Sequence, residues 1–112
     1  MTVDEKIGQL LFTTYHGTFT SSDSPAYQQM LHDVQDLHAG GFILVTKITP
    51  LGIEKSQTYP TSVLNNQLQR KSKLPLLIGA DFERGSAMRL DEGTSFPTQM
   101  AIAAGGDNNS HP

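Results

Sequence analysis

Three short apolar runs separated by helix-like segments constrain the fold of this 112-residue chain more than any other feature. The runs are Leu10-Leu11-Phe12, which continues towards Tyr15, then Phe42 to Val45, and Leu76-Leu77-Ile78. A continuous apolar run of this length is typical of a strand that is buried on both faces, as in a parallel sheet. Strands that alternate with helices pair in parallel through right-handed crossovers, so the pattern predicts an α/β fold.

Helix signals occupy the intervals between these runs. Thr2 and Glu5 have the Thr-x-x-Glu spacing of a capping box, which predicts a short helix over residues 3–8. Ser24-Pro25 marks the start of a second helix that runs to about residue 38. Two more helices are predicted over residues 61–71 and 98–104, whereas residues 46–59 are expected to be irregular. The side chains predicted to face the core from the two longer helices are Tyr27, Met30, Leu31, Val34 and Leu37, then Val63, Leu64 and Leu68.

Charged side chains follow the third apolar run directly. Asp81, Glu83 and Arg84 come first, and Arg89 follows after Gly85. The carboxyl ends of buried parallel strands are where α/β folds place ligand-binding groups. A carboxylate at such a position can accept hydrogen bonds from two hydroxyl groups at once, and charge-assisted bonds are stronger than neutral ones. This segment is therefore the candidate binding site of the chain.

Other interpretations of the same charged residues remain open from the sequence alone. Asp81 could cap a loop or form an ion pair with Arg84 or Arg89. Arg89 could instead lie on the surface and neutralise Asp91 or Glu92.

Composition excludes several other classes of function. The net charge of −3 and the scattered basic residues give no electrostatic footprint for nucleic acid or anionic lipid. The chain has no cysteine and no His-x-x-x-His spacing, so neither a disulfide nor a metal site is predicted. The Gly40-Gly41 and Gly105-Gly106 pairs match no phosphate-binding pattern and are interpreted as turns, the second one extending to Asn109, so no cofactor is expected. No apolar run approaches the roughly 18–20 residues of a membrane span, and the acidic start does not resemble a signal peptide, which leaves the compartment open.

Four segments, in order along the chain, resemble the N-terminal catalytic barrel of glycoside hydrolase family 3. The third of them, with Asp81, Glu83 and Arg89, is similar to the Asp-x-Glu-x-Gly substrate-binding motif of that family. The segments are Met1 to Leu10, Gly40 to Leu44, Pro75 to Gly85 with Arg89, and Phe96-Pro97 with Met100-Ala101 and Ala103-Ala104. The similarity is greatest to the bacterial β-N-acetylhexosaminidase and β-glucosidase members.

The resemblance implies a fold and an activity. Residues 1–112 would be a partial family 3 domain, namely the first three βα units of a (β/α)₈ TIM barrel that needs roughly 250 residues in full. The parent enzyme would be a retaining β-glycosidase acting on β-linked glucose or N-acetylglucosamine. Its partner is a carbohydrate substrate, with neither nucleic acid nor membrane involved.

The resemblance also implies roles for individual residues. Asp81 matches an aspartate that accepts hydrogen bonds from sugar hydroxyls, Arg89 matches an arginine that contacts the same sugar, and Glu83 is the second carboxylate of the motif. The nucleophile and the acid/base are expected beyond residue 112, and none of the histidines at positions 16, 32, 38 and 111 lies in the family's catalytic motif. No catalytic residue is therefore assigned here, and the chain alone is predicted to be inactive.

Two other classes of protein are compatible with the residue pattern. One is a small carbohydrate-binding module that binds sugar at Asp81 without cleaving it. The other is a flavodoxin-like domain. Asp81 and Glu83 could also form a catalytic pair, since retaining enzymes hold their carboxylates about 5–5.5 Å apart, but the resemblance puts that pair elsewhere.

Overall fold

A computed structural model describes residues 1–106 of the chain. The elements, in chain order, are α1 (Val3–Gly8), β1 (Phe12–Tyr15), α2 (Pro25–Gln35), β2 (Gly41–Leu44), β3 (Lys47–Thr49), β4 (Gly52–Glu54), α3 (Thr58–Lys71), β5 (Leu77–Ala80), a 3₁₀ turn (Ser86–Met88) and α4 (Gln99–Gly105). The predicted α/β class is confirmed.

The three predicted strands form one parallel sheet in the order β1-β2-β5. Tyr15, Leu44 and Ala80 lie side by side at the carboxyl ends of the three strands. The groups that follow these strands therefore emerge at one edge of the sheet, as the sequence predicts for a binding site.

One face of this sheet carries the hydrophobic core. Tyr15, Phe42 and Leu44 from the strands pack with Met30 and Val34 of α2 and with Leu64 and Leu68 of α3. The rings of Tyr15 and Phe42 meet edge to face with centroids 5.8 Å apart, a favoured aromatic geometry. The strands alternate their side chains, so Phe12, Ile43 and Leu77 project from the opposite face.

That opposite face is open, and Leu77 is 67% exposed. The burial on both faces that the apolar runs indicate is thus not completed within the described part of the chain. The reason is that α2 and α3 cover only one side, and residues 1–106 supply no second layer.

The starts of α1 and α2 agree with the prediction because capping is a local interaction. The Thr2 hydroxyl accepts a hydrogen bond from the Glu5 amide at 3.2 Å, and the Glu5 carboxylate accepts one from the Thr2 amide at 2.6 Å. Ser24 likewise accepts from the amide of Tyr27 at 3.2 Å. The end of α2 is predicted less well. Since α2 stops at Gln35, Leu37 lies beyond the helix and is exposed, contrary to the prediction.

The interval between β2 and α3 differs most from the prediction. Instead of being irregular, it contains the antiparallel hairpin β3–β4, whose Thr49 hydroxyl donates a hydrogen bond to the Gly52 carbonyl at 2.9 Å. Gly52 has a φ of 123°, which favours glycine. Strands of three residues are too short to display the alternation that predicts a strand.

The helix α3 itself starts at Thr58, three positions before the predicted start, since Pro60 is tolerated in the first turn. Leu64 and Leu68 are buried as predicted, but Val63 is exposed.

The last described helix agrees with the prediction to within one residue. Thr98 caps α4 by accepting from the Ala101 amide at 3.2 Å, so the helix proper begins at Gln99. The predicted stop extends over Asp107, Asn108 and Asn109, which lie outside the described residues. No helix within residues 1–106 has the length and apolarity to cross a membrane.

Candidate functional site

The candidate site is built on the loop that follows β5. Gly85 adopts a φ of 85° there, in the left-handed region that favours glycine. A Cβ at this position would lie 2.3 Å from the Thr94 carbonyl oxygen and 2.7 Å from the ring of Phe96. The loop therefore folds back tightly on itself, and the amide of Ala87 donates to Thr94 at 3.1 Å. This turn brings Arg89 back towards the end of β5.

Arg89 and Asp81 meet at that edge of the sheet. The Arg89 Nη2 lies 3.6 Å from the Asp81 Oδ2, at ion-pair distance, and its Nη1 donates to the Thr46 hydroxyl at 3.3 Å. The Nε atom of Arg89 is buried and has no hydrogen-bond partner among the described residues. The arginine side chain is only 19% exposed, whereas the Asp81 carboxylate is 79% exposed. The site thus presents an open carboxylate beside an immobilised guanidinium.

This geometry decides between the interpretations of Arg89 that the sequence left open. The ion pair that the sequence allowed for Asp81 is present; it forms with Arg89 and not with Arg84, and it leaves the Asp81 side chain 79% exposed. The interpretation of Arg89 as a surface residue that neutralises Asp91 or Glu92 is wrong, because its side chain is largely buried and turned towards Asp81.

The main chain of Arg89 is held by a buried serine. The amide of Ser56 donates to the Arg89 carbonyl at 2.8 Å, and the Ser56 carbonyl accepts from the Asp91 amide at 3.0 Å. The Ser56 hydroxyl accepts from the Gly17 amide at 2.8 Å. Ser56 therefore joins the loop after β1 to the loop that carries Arg89.

Sequence reasoning missed both Thr46 and Ser56. Thr46 directly follows the predicted second strand, and a neighbouring parallel strand end is a signal that could have found it. No local signal marks Ser56.

Glu83 lies apart from the pair of Asp81 and Arg89. It is exposed and forms an isolated bridge with Gly85. It borders a neighbouring shallow cleft together with Arg84 and Thr98. The structure thus brings together two of the three predicted binding residues and leaves the third beside them.

An open cleft of about 380 Å³ adjoins the guanidinium of Arg89. Its lining includes Arg89, Thr46, Ile53, Lys55, Arg84 and Met88. Ile53 and Lys55 come from the hairpin region that was expected to be irregular. This region therefore forms one wall of the candidate site.

The histidines at described positions lie elsewhere. The Nε2 of His16 is 3.1 Å from the Glu54 carbonyl oxygen, and the Nδ1 of His32 is 2.8 Å from the Asp36 carboxylate. His38 also lies outside the cleft, and His111 is outside the described residues. Within residues 1–106, no three His, Cys, Asp or Glu side chains are grouped so that they could hold a metal ion.

Two titratable groups outside this cleft have shifted pKa values. The hydrogen bond from Lys73, at 2.7 Å, and then the Thr2 amide lower the pKa of Glu5 from 4.5 to about 2. Burial raises the pKa of Tyr15, although its hydrogen bond to Asn65, at 2.6 Å, acts in the opposite direction. Both groups connect elements of the fold.

Comparison with known proteins identifies the family of the chain. Residues 2–110 match the family described as the glycosyl hydrolase family 3 N-terminal domain, so the chain belongs to that family. It is also similar to a Beta-N-acetylglucosaminidase/beta-glucosidase from Cellulomonas fimi, with 34% identity over 106 residues. That match covers 95% of this chain and 16% of the relative. The resemblance that the four sequence segments indicated is confirmed.

Proposed function

We propose that this chain supplies sugar-binding groups to a retaining β-glycosidase, which hydrolyses O-glycosidic bonds of β-linked glucose or N-acetylglucosamine. Membership of glycoside hydrolase family 3 supports the reaction class. The observation that carries the assignment to particular residues is the pairing of Asp81 with Arg89 at the carboxyl end of β5. The family assignment favours this function over a flavodoxin-like domain.

The chemistry of the pair suits a sugar hydroxyl. The exposed Asp81 carboxylate accepts hydrogen bonds from one or two hydroxyls, while the Arg89 guanidinium holds that carboxylate in place. A neighbouring hydroxyl of the same sugar can accept from Arg89. Glu83, one loop turn away, extends the site as a further acceptor. Such a site rejects a sugar that lacks the matching hydroxyl, since its polar groups would then be left unpaired.

The fold proposed for the whole site is a (β/α)₈ TIM barrel, of which residues 1–112 form the first three βα units. The parallel sheet, with its strands in sequence order and helices on one side, supports this proposal. Further strands would pair with the free edges of β1 and β5 and cover the open face at Phe12, Ile43 and Leu77. The site would then lie at the carboxyl ends of the strands, where such barrels place their active sites.

We assign no catalytic residue within this chain, and its nucleophile and acid/base are proposed to lie beyond residue 112. Asp81 is ion-paired with Arg89, and Glu83 borders a different cleft. This arrangement favours substrate contact over a pair of catalytic carboxylates. The 112-residue chain alone is therefore expected to bind sugar without hydrolysing it.

The binding proposal is tested by NMR titration of the ¹⁵N-labelled chain with methyl β-D-glucoside and with N-acetylglucosamine. Asp81→Asn should weaken the binding of at least one of these sugars by about 10-fold or more, because a hydrogen bond to a charged group contributes about 1.5–3 kcal/mol. Asp23→Asn, which removes an exposed carboxylate distant in sequence from Asp81, is the matched control. Equal affinities of the wild type and Asp81→Asn would refute the assignment.

The proposal that the chain alone is inactive has its own assay. Purified chain is incubated with p-nitrophenyl β-D-glucoside and p-nitrophenyl N-acetyl-β-D-glucosaminide, beside a heat-killed control. The expected rate equals that of the control. A rate above it would place catalytic groups within these 112 residues.

A further inference from the structure

The cleft beside Arg89 concentrates positive charge in a chain that is acidic overall. Lys55, Arg84 and Arg89 all line it, and they are three of the eight basic residues in a chain of net charge −3. No Asp or Glu side chain is part of this lining. Asp81 is paired with Arg89, and Glu83 lines the adjoining cleft.

Two of these three cations have no ion-pair partner among the described residues. Among residues 1–106, neither Lys55 nor Arg84 forms an ion pair. Arg89 engages Asp81 and Thr46 through its two terminal nitrogens, which leaves the buried Nε–H unpaired. The grouping of Lys55 and Arg84 beside Arg89 is therefore not explained by ion pairs among the described residues.

We infer that this cleft binds an oxyanion, a carboxylate or a phosphate group, beside the sugar held by Asp81 and Arg89. The inference rests on the proposed function for the position of the sugar. The oxyanion is either a substituent of the glycoside itself or a free anion that occupies the cleft together with a neutral sugar. In both cases the ligand supplies the negative charge that the lining lacks.

The three cations suit an oxyanion for different reasons. Guanidinium groups such as those of Arg84 and Arg89 match the planar geometry of a carboxylate or the edge of a phosphate, whereas the Lys55 ammonium acts as a point charge. Like charges that share a cleft repel one another, and an anion between them removes that cost. A neutral sugar would leave Lys55 and Arg84 without a counter-charge, since of the three only Arg89 is paired with a carboxylate.

Arg89 fixes the position of the oxyanion relative to the sugar. It pairs with Asp81 on one side and lines the cationic cleft on the other. The charged group of the ligand and the sugar hydroxyls are therefore separated by no more than the width of the Arg89 guanidinium. This is the spacing expected of an acidic group on the bound sugar or on the residue next to it.

The test compares ligands that differ by one charge. The ¹⁵N-labelled 112-residue chain is titrated at low ionic strength with methyl β-D-glucuronide, with methyl β-D-glucoside and with inorganic phosphate. Lys55→Gln and Arg84→Gln each remove one exposed cation of the cleft. Lys71→Gln and Arg70→Gln, at the exposed end of α3, are the matched controls. Unchanged amide spectra away from the substituted position establish that each variant is folded.

The wild type should bind the glucuronide more tightly than the glucoside. Lys55→Gln and Arg84→Gln should each reduce that preference about 2- to 5-fold, since an exposed ion pair contributes up to about 1 kcal/mol, a factor of about five. The controls should leave it unchanged. Phosphate that binds alone and depends on the same two residues would identify a free anion. If only the glucuronide binds more tightly through these residues and phosphate does not, the anion is a substituent of the sugar.

Two results separate failure of this inference from failure of the proposed function. If binding of the glucoside depends on Asp81, but the affinities of the glucuronide and of phosphate do not depend on Lys55 and Arg84, the anion site is refuted and the sugar site stands. If phosphate binds through Lys55 and Arg84 but no sugar depends on Asp81, the sugar site is refuted and the anion site stands. If Lys71→Gln and Arg70→Gln reduce the preference for the glucuronide as much as the cleft variants do, the anion site is refuted, because the effect would then depend only on net charge.

Discussion

Ser56→Ala should destabilise the chain, although it removes only one oxygen atom. Ser56 is 0% exposed, and its hydroxyl is the acceptor for the buried amide of Gly17 at 2.8 Å. Alanine keeps the two main-chain hydrogen bonds of residue 56 but leaves the Gly17 N–H without a partner. Because water does not reach this position in the folded chain, the amide pays its desolvation cost in full.

The magnitude follows from the burial of both partners. A buried donor left unsatisfied costs about 1–3 kcal/mol, and the space vacated by the hydroxyl adds to that cost. Each kcal/mol corresponds to a shift in Tm of about 4–8 °C for a domain of 60–100 residues. Ser56→Ala should therefore lower the Tm by at least several degrees.

The measurement is urea denaturation followed by circular dichroism, with thermal melting as a second probe. Ser22→Ala, in the exposed loop before α2, is the matched control and should be neutral within about 0.5 kcal/mol. A Ser56→Ala midpoint equal to that of the control would refute the reasoning, because the Gly17 amide would then have found another partner.

Two further predictions concern other parts of the fold. Since the pKa of Glu5 is lowered from 4.5 to about 2, its pairing with Lys73 stabilises the chain fully above about pH 4.5, and this contribution is lost as the pH falls towards 2. Glu5→Gln should therefore flatten the stability–pH profile between these two pH values. If Glu5→Gln and the control Glu92→Gln show the same slope there, the prediction is contradicted. Phe42→Ala should cost about 3–5 kcal/mol in urea denaturation, since this 0%-exposed ring is central to the core. Phe19→Ala, at an 86%-exposed ring, should be near neutral, and similar losses in both variants would contradict the assigned core.

The candidate site could be predicted from the sequence only in part. Asp81 and Arg89 are close in sequence and follow an apolar run, so their membership of a strand-end site could be read directly. Their pairing could not, because it depends on the tight turn at Gly85 that returns Arg89 to the end of β5. Thr46 contacts Arg89 across 43 positions of sequence, and no local spacing encodes such a contact.

The sequence by itself determined the local elements of this protein. The capping pair Thr2–Glu5 set the start of α1, and the alternation of apolar runs with helices set the parallel sheet. The helix cap and the apolar runs themselves depend on neighbours within a few residues, and the parallel pairing follows from their order along the chain. Only the tertiary structure decided which face of the sheet is open and that Lys55, Arg84 and Arg89 share a cleft. Burial and charge clustering arise from packing between distant segments, which spacing along the chain does not specify.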